Sequence, residues 1–425
     1  MSLVCVTPSP IAGSLSPPPS KSAAHRALIA AALAGGGTVR GLQMSEDIAA
    51  TLRALRSLGA EASLTGDTAV LRQGAVPAEA VVDCGESGST LRFMIPLFLA
   101  KGIPAVFTGG GRLPQRPLGL YSELLPAHGA RLTRLSSAPA DFLPLRAEGR
   151  LRGGVYRLPG DVSSQFVTGL LYALPLCEEE SEIRLTTPLE SAGYVEMTLS
   201  ALRRAGIVAE SRVDGWRIPG GQRYHPADVM VEGDWSQAAF LLAAGALGGE
   251  ITVEGMDPAS RQGDRACVEL FRRFGAEIDE IGGRYRCRRA PLHGIDINAR
   301  QIPDLVPVLA ATAALAEGTT RITGAARLRL KESDRLTAMA NGLTRLGAQV
   351  EEQPDGLLIH GVGRLQGGEA EGCNDHRVVM SLAVAALGCD APVTISDAQS
   401  VAKSWPAFFQ DYQQIGGIAH VIRDR

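Results

Sequence analysis

The sequence predicts a mixed α/β (α+β) fold assembled from six copies of one supersecondary unit. Three observations carry this. An amphipathic helix that stops at glycine keeps returning, with Gly59, Gly129, Gly206, Gly275, Gly347 and Gly416 about 70 residues apart. A more apolar helix precedes each of them, and two short β-rich stretches around a turn follow. A helix that is apolar on nearly all sides must be buried. Six such helices therefore imply helices packed inside sheets, with their N-terminal loops on a shared side.

In chain order, the first unit opens where Pro17-Pro18-Pro19 gives way to Ser20 and the apolar run Ala27 to Ala34. Proline does not sit inside a helix and serine caps one, so a loop runs here into a helix start. Its amphipathic partner reads Ala54-Leu55-Arg56-Ser57-Leu58-Gly59-Ala60. The second unit has its apolar helix after Gly88 and the phrase Leu125-Pro126-Ala127-His128-Gly129-Ala130; the third follows Ser163 and closes at Ala205-Gly206. The fourth starts after Asp234, with a strand at Ile251 to Gly255 and the phrase Leu270 to Ala276. The fifth follows Pro303, with a strand at Thr320 to Gly324 and the phrase Leu343 to Ala348; the sixth follows Asp375 and ends more loosely at Tyr412 to Gly416. Each terminal glycine fits the position just past a helix, where a left-handed φ is needed.

Length and composition narrow the class. At 425 residues the chain exceeds one ordinary domain, and 45% apolar content supports a sizeable core. A net charge of −3 and 5% aromatics argue against a nucleic-acid or anionic-membrane partner. The seven cysteines are scattered, odd in number and without a C-x-x-C pair, which predicts reduced thiols in a cytoplasmic protein with no disulfide framework and no metal site. Met1 to Cys5 lacks the basic and apolar segments of a secretory signal, and apolar runs such as Val306 to Ala316 are too short to span a bilayer.

The polar residues collect at the helix starts. Near the apolar helices stand Lys21, Ser22, Arg26, Ser89, Thr90, Arg92, Ser163, Ser164, Gln165, Asp304, Asn374, Asp375, His376 and Arg377. Near the amphipathic ones stand Arg112, Arg116, Ser191, Tyr194, Arg261, Asp264, Lys331, Glu332, Arg335 and Lys403. A helix N-terminus favours anions, so Lys21 and Arg26 in the first turns of one helix are locally unfavourable unless an anion sits between them. Loops that repeat this build a positive pocket for a small, multiply charged anion bearing phosphate and carboxylate groups. Taken singly, each residue has a local explanation. Asp304, Ser163, Ser164 and Asp375 suit helix caps, and Glu332 with Arg335 suits an exposed helix pair. Gly88 suits a turn, Tyr194 and His376 suit packing, and Arg116 and Lys403 suit the surface. Asp234 with Ser236, and Arg261 with Asp264, read as structural.

As an ordered set these residues resemble one family. Ser20-Lys21-Ser22 with Arg26, Leu113 to Gly119, Ser163-Ser164-Gln165-Phe166, Pro303-Asp304, Lys331-Glu332-Ser333-Asp334-Arg335, Asn374-Asp375-His376-Arg377 and Ala402-Lys403-Ser404 are similar to the motifs of the 5-enolpyruvylshikimate-3-phosphate synthases, in their order. The resemblance implies a two-domain inside-out α/β barrel of six βαβαββ repeats, three per domain, with buried helices whose N-termini face the interdomain cleft. The implied domains are residues 14–228, and residues 1–13 with 229–425, with the second crossing near Tyr224 to Asp228; the domains close over the substrates.

The implied reaction moves the enolpyruvyl group of phosphoenolpyruvate to the 5-hydroxyl of shikimate 3-phosphate and releases phosphate through a tetrahedral intermediate. Shikimate 3-phosphate is implied on Lys21, Ser22, Arg26, Ser163, Ser164, Gln165, Ser191, Asp304 and Lys331. Phosphoenolpyruvate is implied on Lys21, Gly88, Arg116, Gln165, Arg335, Arg377 and Lys403. The implied catalytic set is Asp304 as base, Glu332 as proton shuttle, Lys21 and Lys403 on the departing phosphate, and His376. No metal or organic cofactor is implied, and a cytoplasmic monomer is expected. The chain departs from the common pattern at Glu86, where an added carboxylate would repel phosphoenolpyruvate unless turned away or paired. It departs also at Phe93, and at Arg327, where an asparagine often helps to bind the shikimate phosphate. Two other functions fit the pocket: enolpyruvyl transfer to UDP-N-acetylglucosamine, and non-catalytic anion binding. The first usually brings a cysteine to the loop that here reads Gly109 to Arg116, which has none.

Overall fold

The computed structural model describes residues 2–423. Among them are twelve α-helices: α1 (Lys21–Leu33), α2 (Glu46–Ser57), α3 (Gly88–Lys101), α4 (Gly119–Leu124), α5 (Ser164–Ala173), α6 (Ala192–Arg204), α7 (Trp235–Gly248), α8 (Cys267–Phe274), α9 (Val306–Ala314), α10 (Arg335–Arg345), α11 (His376–Ala385) and α12 (Phe408–Gln414). The odd-numbered helices are the apolar ones. Leu91 to Ala100 of α3 and Trp235 to Leu247 of α7 are buried without a break. The even-numbered helices bury one face; in α2 that face is Ile48, Ala50, Thr51, Leu52, Ala54 and Leu55. All six glycines read as helix stops have positive φ, between 75° and 107°. At Gly129 an added Cβ would also lie 2.6 Å from the Arg150 carbonyl, so both conformation and space require glycine.

Strong local caps start the buried helices. Ser20, Ser163, Asp234 and Asp375 each accept a backbone N–H of the first turn of α1, α5, α7 and α11. Ser87 caps α3, so Gly88 is its first residue rather than the residue before it. The 3₁₀ turn Pro303–Leu305 leads into α9 with no side-chain cap, which leaves the Asp304 carboxylate available for other work.

The described residues form six four-stranded sheets of one topology. In the second repeat, Ala80–Asp83 runs parallel to Ala105–Thr108, and the hairpin Ala130–Arg134 with Leu145–Gly149 adds antiparallel through its second strand. Three sheets complete themselves with a strand distant in sequence. Val229–Met230 pairs with Gly36–Arg40 of the first repeat, and Ile11–Leu15 with Gly249–Val253 of the fourth. Ser2–Thr7 lies between Val393–Ile395 and Ile418–Arg423 in the sixth.

The chain divides into two compact units, one running from Pro19 to Val231 and the other joining the segment up to Pro18 with the segment from Glu232 onward. Each contains three sheets around its own apolar core. Leu15 pairs with Val253 and Asp234 N–H bonds to the Pro18 carbonyl, which ties residues 11–18 to the second unit. Val231 N–H bonds to the Arg40 carbonyl and ties residues 229–231 to the first. No helix among the described residues is long and apolar enough to cross a membrane.

Candidate active site

In the 19–231 unit the cations sit at the starts of α1 and α3 and in the loop before α4. Lys21 opens α1, and its Nζ lies 2.7 Å from the Asp47 carboxylate in the first turn of α2. Asp47 is thus an anion that the basic helix start required. Arg26 is buried at 4% exposure and donates to Ser22 O (2.8 Å), Tyr194 O (2.8 Å) and Thr198 Oγ1 (2.9 Å). Each of these acceptors is neutral, so Arg26 is a buried cation held in place but not neutralised by them. Burial lowers its pKa from a value so high that it remains charged. Arg92 donates to Gln165 Oε1 at 2.7 Å, and Gln165 Nε2 donates to Ser89 Oγ at 2.9 Å, so Gln165 is oriented by both of its polar atoms. Arg116 is buried rather than on the surface, and its guanidinium covers Gly88, where an added Cβ would lie 2.7 Å from it. Ser163 spends its hydroxyl on the cap of α5, Ser164 is buried beside it, and Ser191 is buried with φ of 56° at the start of α6.

The other unit gathers its charges around one guanidinium. Arg335, the first residue of α10, is 1% exposed. Its Nε donates to Asp375 at 2.8 Å, its Nη1 to Asp304 at 3.0 Å and its Nη2 to Glu332 at 2.8 Å. The two carboxylates expected to handle protons are therefore held side by side on one planar fork. Glu332 and Arg335 do not form an exposed helix pair: their contact is part-buried, with Glu332 in the loop before the helix. Asp304 also accepts from Arg377 Nη2 at 3.2 Å and lies 3.7 Å from Lys331 Nζ. Burial by itself would raise the Asp304 carboxyl, but Arg377, Lys331 and Arg335 together hold it well below the ordinary carboxylate range. Lys403 is buried and donates to the Asn374 carbonyl at 2.7 Å. His376 is buried at the start of α11, its Nδ1 3.8 Å from Asp375.

Several contributors lie outside the expected substrate-binding and catalytic sets. Asp47 looks like the ordinary acidic residue of a helix start. Thr168 and Thr198 line Arg26 as buried hydroxyls 3.0 Å apart. Asp375 both caps α11 and receives Arg335 and Ser333. Asp264, read as structural, is buried, and its carboxyl is pushed up to about 7 by burial and then by the charge of Asp304.

The three departures have the following neighbours. The Glu86 carboxylate lies against Gly111, whose φ is +55°. Phe93 is buried 5.6 Å from the Arg26 guanidinium. Arg327 Nη2 donates to the Arg300 carbonyl at 2.8 Å, so that nitrogen is turned to backbone rather than reserved for a phosphate.

Comparison with known proteins gives a consistent result. Residues 6–412 match the family described as EPSP synthase (3-phosphoshikimate 1-carboxyvinyltransferase). The 3-phosphoshikimate 1-carboxyvinyltransferase of Clostridium acetobutylicum is 44% identical over 427 residues, covering 99% of each chain. That of Clostridium perfringens is 42% identical over 424 residues, covering 98% of this chain and 99% of the relative. The solved EPSP synthase of Acinetobacter baumannii superposes with a TM-score of 0.83 at 27% identity, covering both chains completely. This agrees with the two-domain inside-out barrel of six βαβαββ repeats. On sequence, fold and the order of its charged motifs, the chain belongs to the EPSP synthase family.

Proposed function

We propose that the two charge clusters carry the parts of the EPSP synthase reaction, the transfer of the enolpyruvyl group of phosphoenolpyruvate to the 5-hydroxyl of shikimate 3-phosphate. The observation that supports this best is Arg335, which holds Asp304 and Glu332 on its two terminal nitrogens while Lys331 and Arg377 face the same Asp304. Cations for anionic substrates thus stand beside two carboxylates for proton transfer, as addition to an enol phosphate and elimination of phosphate to an enol ether require.

In this reading shikimate 3-phosphate takes Lys21, Ser22, Arg26, Ser163, Ser164, Gln165, Ser191, Asp304 and Lys331. Phosphoenolpyruvate takes Lys21, Gly88, Arg116, Gln165, Arg335, Arg377 and Lys403. Asp304 accepts the proton of the attacking 5-hydroxyl. Glu332 delivers a proton to the methylene carbon and recovers one as phosphate leaves. Lys21 and Lys403 stabilise the charge on the departing phosphate, and His376 belongs to the same set through its place beside Asp375. Asp304 is too well paired to be a strong base before substrates arrive. Substrate carboxylate and phosphate compete for Lys331, Arg335 and Arg377, and Asp304 gains basicity as those cations turn to the substrate. Two domains divided near the expected 14–228 boundaries, with residues 14–18 on the side of the second and 229–231 on the side of the first, act in a cytoplasmic monomer.

Gly88 offers a direct check. Gly88→Ala pushes a methyl group into the Arg116 guanidinium. It should raise KM for phosphoenolpyruvate by about tenfold, the scale of one displaced charge-assisted contact, and leave KM for shikimate 3-phosphate nearly unchanged. Equal changes in both would remove Arg116 from the phosphoenolpyruvate set. The reaction itself is tested by phosphate release from phosphoenolpyruvate with shikimate 3-phosphate, and separately with UDP-N-acetylglucosamine. Release with the first alone is expected; release with the second alone would overturn the acceptor.

A further inference from the structure

The segment Ser20 to Arg26 at the start of α1 contains one side chain, His25, that the reaction leaves unused. His25 is 1% exposed and heads a buried line of hydroxyls crossing three helices. Its Nδ1 lies 2.7 Å from Thr51 Oγ1 on α2, which lies 2.7 Å from Thr90 Oγ1 on α3. Thr90 Oγ1 donates to Ser87 Oγ at 2.8 Å. Ser87 and Thr51 are 1% exposed and Thr90 is fully buried.

The protons of this line run one way. Burial, then the charges of Lys21 and Arg26, hold the His25 pKa well below its ordinary value, so the ring is neutral. Because Thr90 donates to Ser87, it accepts from Thr51, and Thr51 in turn accepts from His25 Nδ1–H. Nε2 is then a bare acceptor, and it has no hydrogen-bond partner among the described residues. The reverse polarity would bury an Nε2–H with nothing to receive it.

The line connects two parts of the phosphoenolpyruvate set. His25 stands one turn after Lys21 on α1, and Thr51 one turn after Asp47 on α2. The Lys21–Asp47 and His25–Thr51 contacts, both 2.7 Å, are therefore successive rungs between the same helix faces. At the far end, Ser87 accepts Thr90 N–H as the cap of α3 and precedes Gly88, the seat of Arg116. Apolar contacts between helices tolerate sliding, whereas a directed series of short hydrogen bonds does not.

We propose that His25, Thr51, Thr90 and Ser87 form a positioning network that fixes α1, α2 and α3 in register, so that Lys21, Gly88 and Arg116 meet phosphoenolpyruvate together. This rests on the assignment of those three residues to phosphoenolpyruvate. Thr51→Val keeps the shape of the side chain and removes both hydrogen bonds at the centre of the line. It should raise KM for phosphoenolpyruvate about tenfold and KM for shikimate 3-phosphate, which shares only Lys21 of the three, several-fold less, and Thr51→Ser should restore both. A purely structural role predicts a lower Tm with both KM values unchanged, or raised equally; either result overturns the network, as does failure of Thr51→Ser to rescue. If Thr51→Val does not fold, Thr90→Val with Thr90→Ser as its rescue cuts the next link and is read in the same way. The unsubstituted protein is assayed alongside. An inactive unsubstituted protein overturns the functional assignment itself, whereas an active one with unaltered variants overturns the network alone.

Discussion

Asp304→Ala should still bind both substrates and turn over roughly 10²- to 10⁴-fold more slowly, the usual worth of a positioned general base. The geometry adds a sign to the binding term. Asp304 is an internal anion facing Arg335, Arg377 and Lys331, and so competes with the anionic substrate for them. Its removal should leave KM for phosphoenolpyruvate unchanged or lower it, opposite to the usual loss of a contact residue. Steady-state phosphate release with each substrate varied separates the two effects. Near-normal turnover would remove Asp304 as the base, and a large rise in KM would contradict the competition.

The same variant has a signature in stability. The folded-state pKa of Asp304 is depressed, so its contribution is fully present above the unfolded value, about 3.9, and is lost as pH falls through the folded value. Asp304→Ala should therefore flatten the acid side of a plot of unfolding free energy against pH. The fold should survive, because Arg335 keeps Asp375 and Glu332.

Lys21→Ala should damage both binding and rate. Losing one charge-assisted hydrogen bond to an anionic substrate costs about 1.5–3 kcal/mol, roughly a tenfold to hundredfold rise in KM for each substrate that it holds. If Lys21 also stabilises the departing phosphate, kcat should fall by about 10²- to 10³-fold. The substitution also leaves the Asp47 carboxylate without that ammonium, aimed toward the place of an incoming anion. Lys21→Ala with Asp47→Ala should therefore recover part of the binding loss and none of the loss in kcat. Unchanged kinetics for the single variant would undo the placement of the site at the start of α1.

Much of the architecture is visible in one dimension because its causes are local. A glycine past a helix end takes positive φ for steric reasons that involve its immediate neighbours, and all six do so. Ser20, Ser163, Asp234 and Asp375 cap because their oxygens reach N–H groups two or three residues on. The buried helices announce themselves by lacking a polar stripe. The order of the charged motifs likewise points to an anion site before any contact is known.

What depended on the tertiary structure was every pairing across long separations. Three sheets are completed by residues 2–7, 11–15 and 229–230, far from the repeats that they serve, and a strand pairs through backbone groups that leave no periodic trace of their partner. Asp304 and Asp375 reach Arg335 across 31 and 40 positions, and Lys21 reaches Asp47 across 26. A carboxylate in a sequence does not reveal whether it caps a helix, meets solvent or neutralises a guanidinium. Burial decides among these, because an ion pair removed from water is strongly coupled while the same pair in solvent is nearly free, and burial is a property of the folded chain.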